Sequence, residues 1–176
     1  MLIVFPNYIL VCREAWLRKT MVRIFVCLFV LSLPNDRIYA QVKAPVKWHF
    51  SSVQKSEKEV ELVFTATMDE GWHIYSQFLE EGGPLPTTFT FSASPDYERV
   101  DKVKEESTPI EKFDPTFMMP VVWFDKTALF TQRIKLKVPA TTVKGKVEFM
   151  ACTDYECLLP EEVAFTINVT AEKAKH

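Results

Sequence analysis

After Gln41 the chain places hydrophobic residues at every second position along most of its length, and that rhythm restricts its fold more than any other feature. In VKWHF (46–50), Val46, Trp48 and Phe50 share one side. EVELVFTATM repeats the pattern with Val60, Leu62, Phe64, Ala66 and Met68, and TTFTFSAS, VVWF, ALFTQRIKLKV, GKVEFMAC and EVAFTINV continue it. Successive side chains of a β-strand point to opposite faces. Alternation in short segments rich in Val, Ile, Phe and Thr therefore predicts half-buried antiparallel strands. No segment sustains a 3.6-residue period. About seven to nine such strands in one domain predict an all-β, immunoglobulin-like β-sandwich. TTVKGK (141–146) reads as a hairpin turn leading into the strand that ends at Cys152, and 171–176 as a frayed tail. Repeats, low-complexity tracts and a second domain are not evident.

The N-terminal part breaks this rhythm. From Met21 the chain runs MVRIFVCLFVLSLPNDRIYAQ, with Arg23 as a short positive region, an apolar run from Ile24 to Leu33, and Tyr39-Ala40 before Gln41. An apolar run of ~7–15 residues followed by a small residue is the pattern of a secretory signal, whereas a membrane-spanning helix needs ~20. Residues 1–20 fit this pattern poorly, which favours Met21 as the start; a long signal or an N-terminal anchor is the alternative. On this reading residues 1–40 are removed on export and 41–176 form the mature domain, periplasmic or secreted. Cys12 and Cys27 leave with the signal, so Cys152 and Cys157 remain in a compartment where disulfides persist. The formal charge of −2 gives no reason to expect nucleic acid or an acidic membrane as partner.

Two connections stand out. LEEGGPLPTT, Leu79 to Thr88, is rich in turn residues. ESTPIEKFDPTFMMP, Glu106 to Pro120, reads as a long loop that carries Phe113, Phe117, Met118 and Met119 where a plain connector would be polar. Such a loop either covers a functional site or folds back onto the sandwich edge.

The cysteine pair in MACTDYECLLPEEVAF (150–165) admits three readings. A structural zinc site takes four ligands, and His49, His73 and His176 are not in ligand spacing with the cysteines, so no metal is expected. A structural staple would close a very short loop, where the entropic gain is smallest. A redox pair uses the same hairpin-end geometry in the opposite sense, as a bridge open to exchange. Asp154 and Glu156 disfavour the thiolate, so the site lacks the electropositive setting of a strongly oxidising Cys-x-x-Cys enzyme. Staple and redox pair both remain open at this point.

DEGWHIYSQ (Asp69 to Gln77), the long aromatic loop and ACTDYECLLP, in that order, resemble the N-terminal periplasmic domain of the DsbD family of transmembrane thiol–disulfide interchange proteins. The resemblance spans roughly Val46 to Val169. It implies an immunoglobulin-like sandwich with a redox-active disulfide. Such a domain takes electrons from a thioredoxin-like protein fed by a membrane electron carrier. It passes them to periplasmic disulfide proteins, such as isomerases and cytochrome c maturation factors, without a cofactor. By the same resemblance Cys157 forms the mixed disulfide with partners and Cys152 resolves it. KFDPTFMMP stands as the cap loop, with Phe113 or Phe117 as lid, Met118 beside them and Asp114 tuning the thiols. Trp72 and Tyr75 match aromatic positions that line the site, against ordinary core packing as the plainer alternative. The chain departs from the family in a cysteine spacing one residue shorter and in CLLP, where Leu159 replaces a proline. It also carries neither the membrane-spanning portion nor the thioredoxin-like domain, so a standalone domain with a separate electron donor is expected.

The reading is therefore a thiol–disulfide oxidoreductase relay domain. Its rival is a non-catalytic binding module whose disulfide pins a hairpin. A hydrolase has little support, since there is no nucleophile elbow and the internal histidines lie on strands.

Overall fold

The computed structural model describes residues 43–114 and 117–171. The expected signal segment, its cleavage after Ala40 and the tail beyond Ala171 lie outside the described residues. Within them the chain forms eleven strands: β1 (Val46–Gln54), β2 (Glu59–Met68), β3 (His73–Tyr75), β4 (Thr88–Phe91), β5 (Tyr97–Glu105), β6 (Ile110–Asp114), β7 (Met119–Asp125), β8 (Thr127–Leu136), β9 (Ala140–Phe149), β10 (Ala151–Cys152) and β11 (Glu161–Thr170). They make three antiparallel sheets in the orders β1-β2-β8-β5, β10-β3-β7-β6 and β11-β9-β4. The expected all-β, immunoglobulin-like sandwich is the fold observed.

One continuous core draws on all three sheets. The alternating set of β2, from Val60 to Met68, is buried with Ala128, Phe130, Ile134 and Leu136 of β8. Phenylalanines join this sheet to the others: Phe64 meets Phe89 at 4.9 Å and Phe165 at 5.0 Å between ring centroids, and Phe124 of β7 meets Phe130 at 5.6 Å. Trp48 of β1 lies 5.5 Å from Phe149 of β9. Offset and edge-to-face rings at such distances add about 0.5–1.5 kcal/mol per pair beyond their buried area.

Two expected connections prove to be strand. Thr141 to Lys146 is not a hairpin turn: it lies within β9, which pairs with β11 over ten consecutive positions. Gly145 misled the reading. It is glycine because a Cβ there would stand 2.3 Å from the Thr90 carbonyl oxygen and 2.4 Å from Cζ of Phe165, so the ring occupies the space a side chain would fill. The long loop Glu106 to Pro120 is likewise an antiparallel hairpin for most of its length, with β6 and β7 paired from Ile110↔Trp123 to Asp114↔Met119. Exposure of every β6 side chain except Asp114 hid its period.

Gly145→Ala is expected to destabilise the domain by about 1–3 kcal/mol, as overpacking does. Urea unfolding should show a lower midpoint at an unchanged slope. Equal or higher stability, the usual result when glycine leaves a strand, would show that the Phe165 ring does not hold this position.

Candidate functional site

The site is built on β3, a three-residue strand whose residues are all buried. Asp69 to Trp72 form the turn that delivers it: the Trp72 amide donates to the Asp69 carbonyl at 3.1 Å, and Gly71 takes φ 80°, a conformation that favours glycine. β10 flanks β3 on one side and β7 on the other. Their registers align Ala151, Ile74 and Phe124 in one transverse row, and Cys152, His73 and Asp125 in the next. Residues directly opposite in an antiparallel pair project to the same face, and neighbouring rows project to opposite faces. The first row sits in the main core. The second row faces the other way, and Cys157, paired with Cys152 through an antiparallel bridge, joins it.

Cys152 and Cys157 form a disulfide with their Cα atoms 4.1 Å apart. The turn between them is held by its own hydrogen bonds. The Thr153 amide donates to the Glu156 carbonyl at 2.8 Å, and the Leu158 amide to the Ala151 carbonyl at 2.9 Å. Thr153 Oγ1 accepts from the amides of Tyr155 (3.2 Å) and Glu156 (3.1 Å). The two half-cystines differ in surroundings: Cys152 is 0% exposed, in a small cluster with Tyr75 and Val121, whereas Cys157 is exposed. Tyr155 at the turn tip and Leu159 just beyond the pair are 97% and 89% exposed.

A cleft of about 610 Å³ opens between this turn and the β6–β7 hairpin. Its floor is His73, Tyr75 and Trp123; its walls are Lys112, Phe113, Asp114 and Phe117 on one side and Thr153 to Cys157 on the other. His73 stacks on Trp123 at 4.7 Å, and its Nε2 lies 3.4 Å from the Tyr75 hydroxyl. Lys112 Nζ stands 5.8 Å from the Trp123 ring centroid. The Phe117 amide donates to Asp114 Oδ1 at 3.4 Å.

Of the residues singled out from sequence, Cys157, Tyr75, Phe113, Asp114 and Phe117 border this cleft, with Cys152 beneath. Phe113 is 54% exposed and belongs to β6 rather than to a loop. Met118, 73% exposed at φ 56°, is not among the residues that line the cleft. Nor is Trp72, which packs against the main core under Lys43, whose Nζ is 5.7 Å from the ring centroid. Lys43 also pairs with Glu156 at 2.5 Å, a surface contact worth little on its own. Sequence reasoning did not single out His73, Trp123, Lys112 or Tyr155. The signal for His73 was present: it stands two residues before Tyr75 on a strand, hence on the same face.

Burial holds the His73 imidazole below its usual 6.5; the negative charges of Asp154, Asp114 and Asp125 oppose this, and Lys112 reinforces it. Tyr75 is pushed up to about 12, by burial first and by Asp114 second. At neutral pH the cleft floor therefore holds a neutral imidazole beside a protonated phenol. Among the described residues no group of three or more His, Cys, Asp or Glu side chains is placed to hold a metal ion.

The site is thus a disulfide hairpin, with one sulfur buried and one exposed, at the mouth of an aromatic-floored cleft in an all-β sandwich. The chain belongs to the family described as "Thiol:disulfide interchange protein DsbD, N-terminal", which it matches over residues 40–169. The crystal structure of the N-terminal periplasmic domain of ScsB from Proteus mirabilis is similar at a TM-score of 0.52 and 13% identity, covering 76% of this chain and 49% of that one. The Neisseria meningitidis DsbD N-terminal domain in its reduced form gives a TM-score of 0.50 at 15% identity, covering 79% of this chain and 95% of that one. The chain thus spans about half the ScsB chain, and at these identities the likeness concerns the fold. No curated protein matches the chain.

Because folding lowers the affinity of His73 for a proton, the unfolded chain takes up that proton first as pH drops below about 6.5. The stability contribution of the neutral imidazole is complete above that pH and is lost as pH falls through it toward the folded value. Urea titrations between about pH 7.5 and 5.5 should show wild type losing stability more steeply than His73→Gln. Parallel slopes would mean that folded and unfolded His73 bind protons alike.

Proposed function

We propose that this domain relays electrons between a thioredoxin-like protein, or another donor served by a membrane electron carrier, and disulfide-bonded protein partners. The redox pair is Cys152 and Cys157. The observation that carries the reading is the unequal burial of the two half-cystines, Cys152 at 0% exposure and Cys157 open at the cleft. Thiol–disulfide exchange requires in-line approach of one sulfur to another, so an incoming thiolate meets Cys157 and not Cys152. In the forward direction Cys157 forms the mixed disulfide, and Cys152 waits below to resolve it. Phe113 or Phe117, both on the opposite wall, acts as the lid over the pair, with Asp114 and Tyr75 lining the approach. The domain is proposed to work after export, in the periplasm, the compartment of the similar ScsB N-terminal domain.

Cys152→Ala should trap a covalent complex with a thioredoxin-like partner on non-reducing gels, and Cys157→Ala should give none. Absence of any adduct from Cys152→Ala would count against the relay. Equilibration with glutathione separates the relay from a mere staple. An exchanging pair should lie well above the ~−300 mV below which inert structural disulfides fall.

A further inference from the structure

Resolution of the mixed disulfide needs the Cys152 thiol to lose a proton in a buried, largely apolar seat formed with Tyr75 and Val121, where the neutral thiol is favoured over the thiolate. The register supplies an acceptor. Cys152 pairs directly with His73, so their side chains leave the sheet on the same face as nearest cross-strand neighbours. Asp125 pairs with His73 from the other flank, which makes Cys157, Cys152, His73 and Asp125 one continuous row.

We propose that His73 accepts the Cys152 proton during resolution and is thereby the acid–base residue of the second half of exchange. This rests on the exchange reading of the pair given above. In the first half the Cys157 thiolate attacks a partner disulfide; a Cys157–partner bond forms and one partner sulfur leaves as a thiolate. In the second half the Cys152 proton passes to the ring of His73, and the Cys152 sulfur forms a bond to Cys157 Sγ. The Cys157–partner bond breaks, and the second partner sulfur leaves with the electron pair. The domain's pair is then oxidised by two electrons, the partner's disulfide is reduced, and the imidazolium returns its proton to the departing thiolate. Reduction of the pair by a donor runs the same steps in reverse, with protonated His73 delivering the proton to Cys152.

The surroundings fit both states of the ring. From its own strand the Tyr75 hydroxyl lies 3.4 Å from Nε2; with Nε2–H donating to that oxygen, the other ring nitrogen is left as the acceptor. Burial keeps the ring neutral and ready beforehand. Once it is charged, Asp154 from the turn, Asp114 from β6 and Asp125 from β7 act to stabilise it, and among the described residues Lys112 of β6 opposes them. Trp123 of β7 stacks on the ring and fixes its plane.

The test uses the reduced protein and the aromatic disulfide 5,5′-dithiobis(2-nitrobenzoate), followed by stopped-flow absorbance. The first nitrothiolate released reports attack by Cys157, and the second reports resolution by Cys152. In wild type the second rate should climb with pH, bend below pH 6.5 and level off near neutrality. In His73→Gln the bend should disappear, and the ratio of second to first rate at pH 7 should drop about a hundredfold, closing again as the solution becomes alkaline. The same bend and ratio in His73→Gln would overturn the role of His73 and leave the exchange reading standing. Should that variant not fold, the wild-type profile decides alone, since an unbroken log-linear rise without a bend overturns the proposal. A wild-type protein that releases no second nitrothiolate overturns the exchange reading itself, and the role of His73 with it.

Discussion

The pairing of β3 with β10 on one flank and with β7 on the other is the contact on which the site depends. Ile74, Phe124 and Ala151 form the inward row, at 0%, 1% and 4% exposure. Burial of a large apolar side chain contributes ~1.5–3 kcal/mol, so this row holds the register firmly. A slip by one residue would turn every side chain to the opposite face, sending His73 and Cys152 into the hydrocarbon core and Ile74 toward the cleft. The main core therefore does more than stabilise the sandwich. By selecting the face of Ile74 it also decides that Cys152, His73 and Tyr75 converge on the other side of a three-residue strand.

That convergence gives each half-cystine its own environment within a single turn. Cys152 ends a paired strand beneath Tyr75 and Val121, while Cys157 follows the turn onto the surface. A bridge buried at both ends would be closed to exchange, and one exposed at both ends would offer two points of attack. The exposed Tyr155 and Phe113 flank the open sulfur on opposite sides of the cleft, so a partner that reaches Cys157 also meets aromatic surface. Aromatic side chains supply contact area at little conformational cost, which suits a surface that must engage and release.

The sandwich was legible in the sequence because alternation is a direct image of strand geometry wherever one face is buried and the other wet, as in Val60 to Met68. It failed where that contrast vanishes. β6 has almost no buried face, so Ile110 to Phe113 read as loop, and β3 is buried on both faces, so only its spacing from Tyr75, not a contrast of burial, marked His73. Gly145 read as a turn because the ring that occupies its missing side chain comes from Phe165, twenty positions later in the chain and directly opposite in β11. The disulfide was legible because Cys152 and Cys157 are the two cysteines within the strand-patterned part of the chain. Their asymmetry was not, since it depends on pairing with β3. Trp72 illustrates the same limit: it closes the turn before β3 and packs against the core, while its neighbour His73, the first residue of the strand, reaches the cleft.

The turn between the cysteines keeps its shape by means independent of the bond it carries. Two backbone hydrogen bonds, Thr153 to Glu156 and Leu158 to Ala151, bracket the pair, and Thr153 Oγ1 accepts two amides within the turn. None of these groups takes part in sulfur chemistry, so opening the disulfide removes none of the hydrogen bonds that shape the turn. Holding reacting groups in place turns a second-order encounter into an intramolecular step with a large effective concentration. In the proposed relay, resolution by Cys152 would then compete well with a second external thiol and keep a mixed disulfide short-lived. On the proposed relay, Thr153 would serve exchange without touching sulfur, because its hydrogen bonds hold the turn that carries both cysteines whether or not the bond between them is closed.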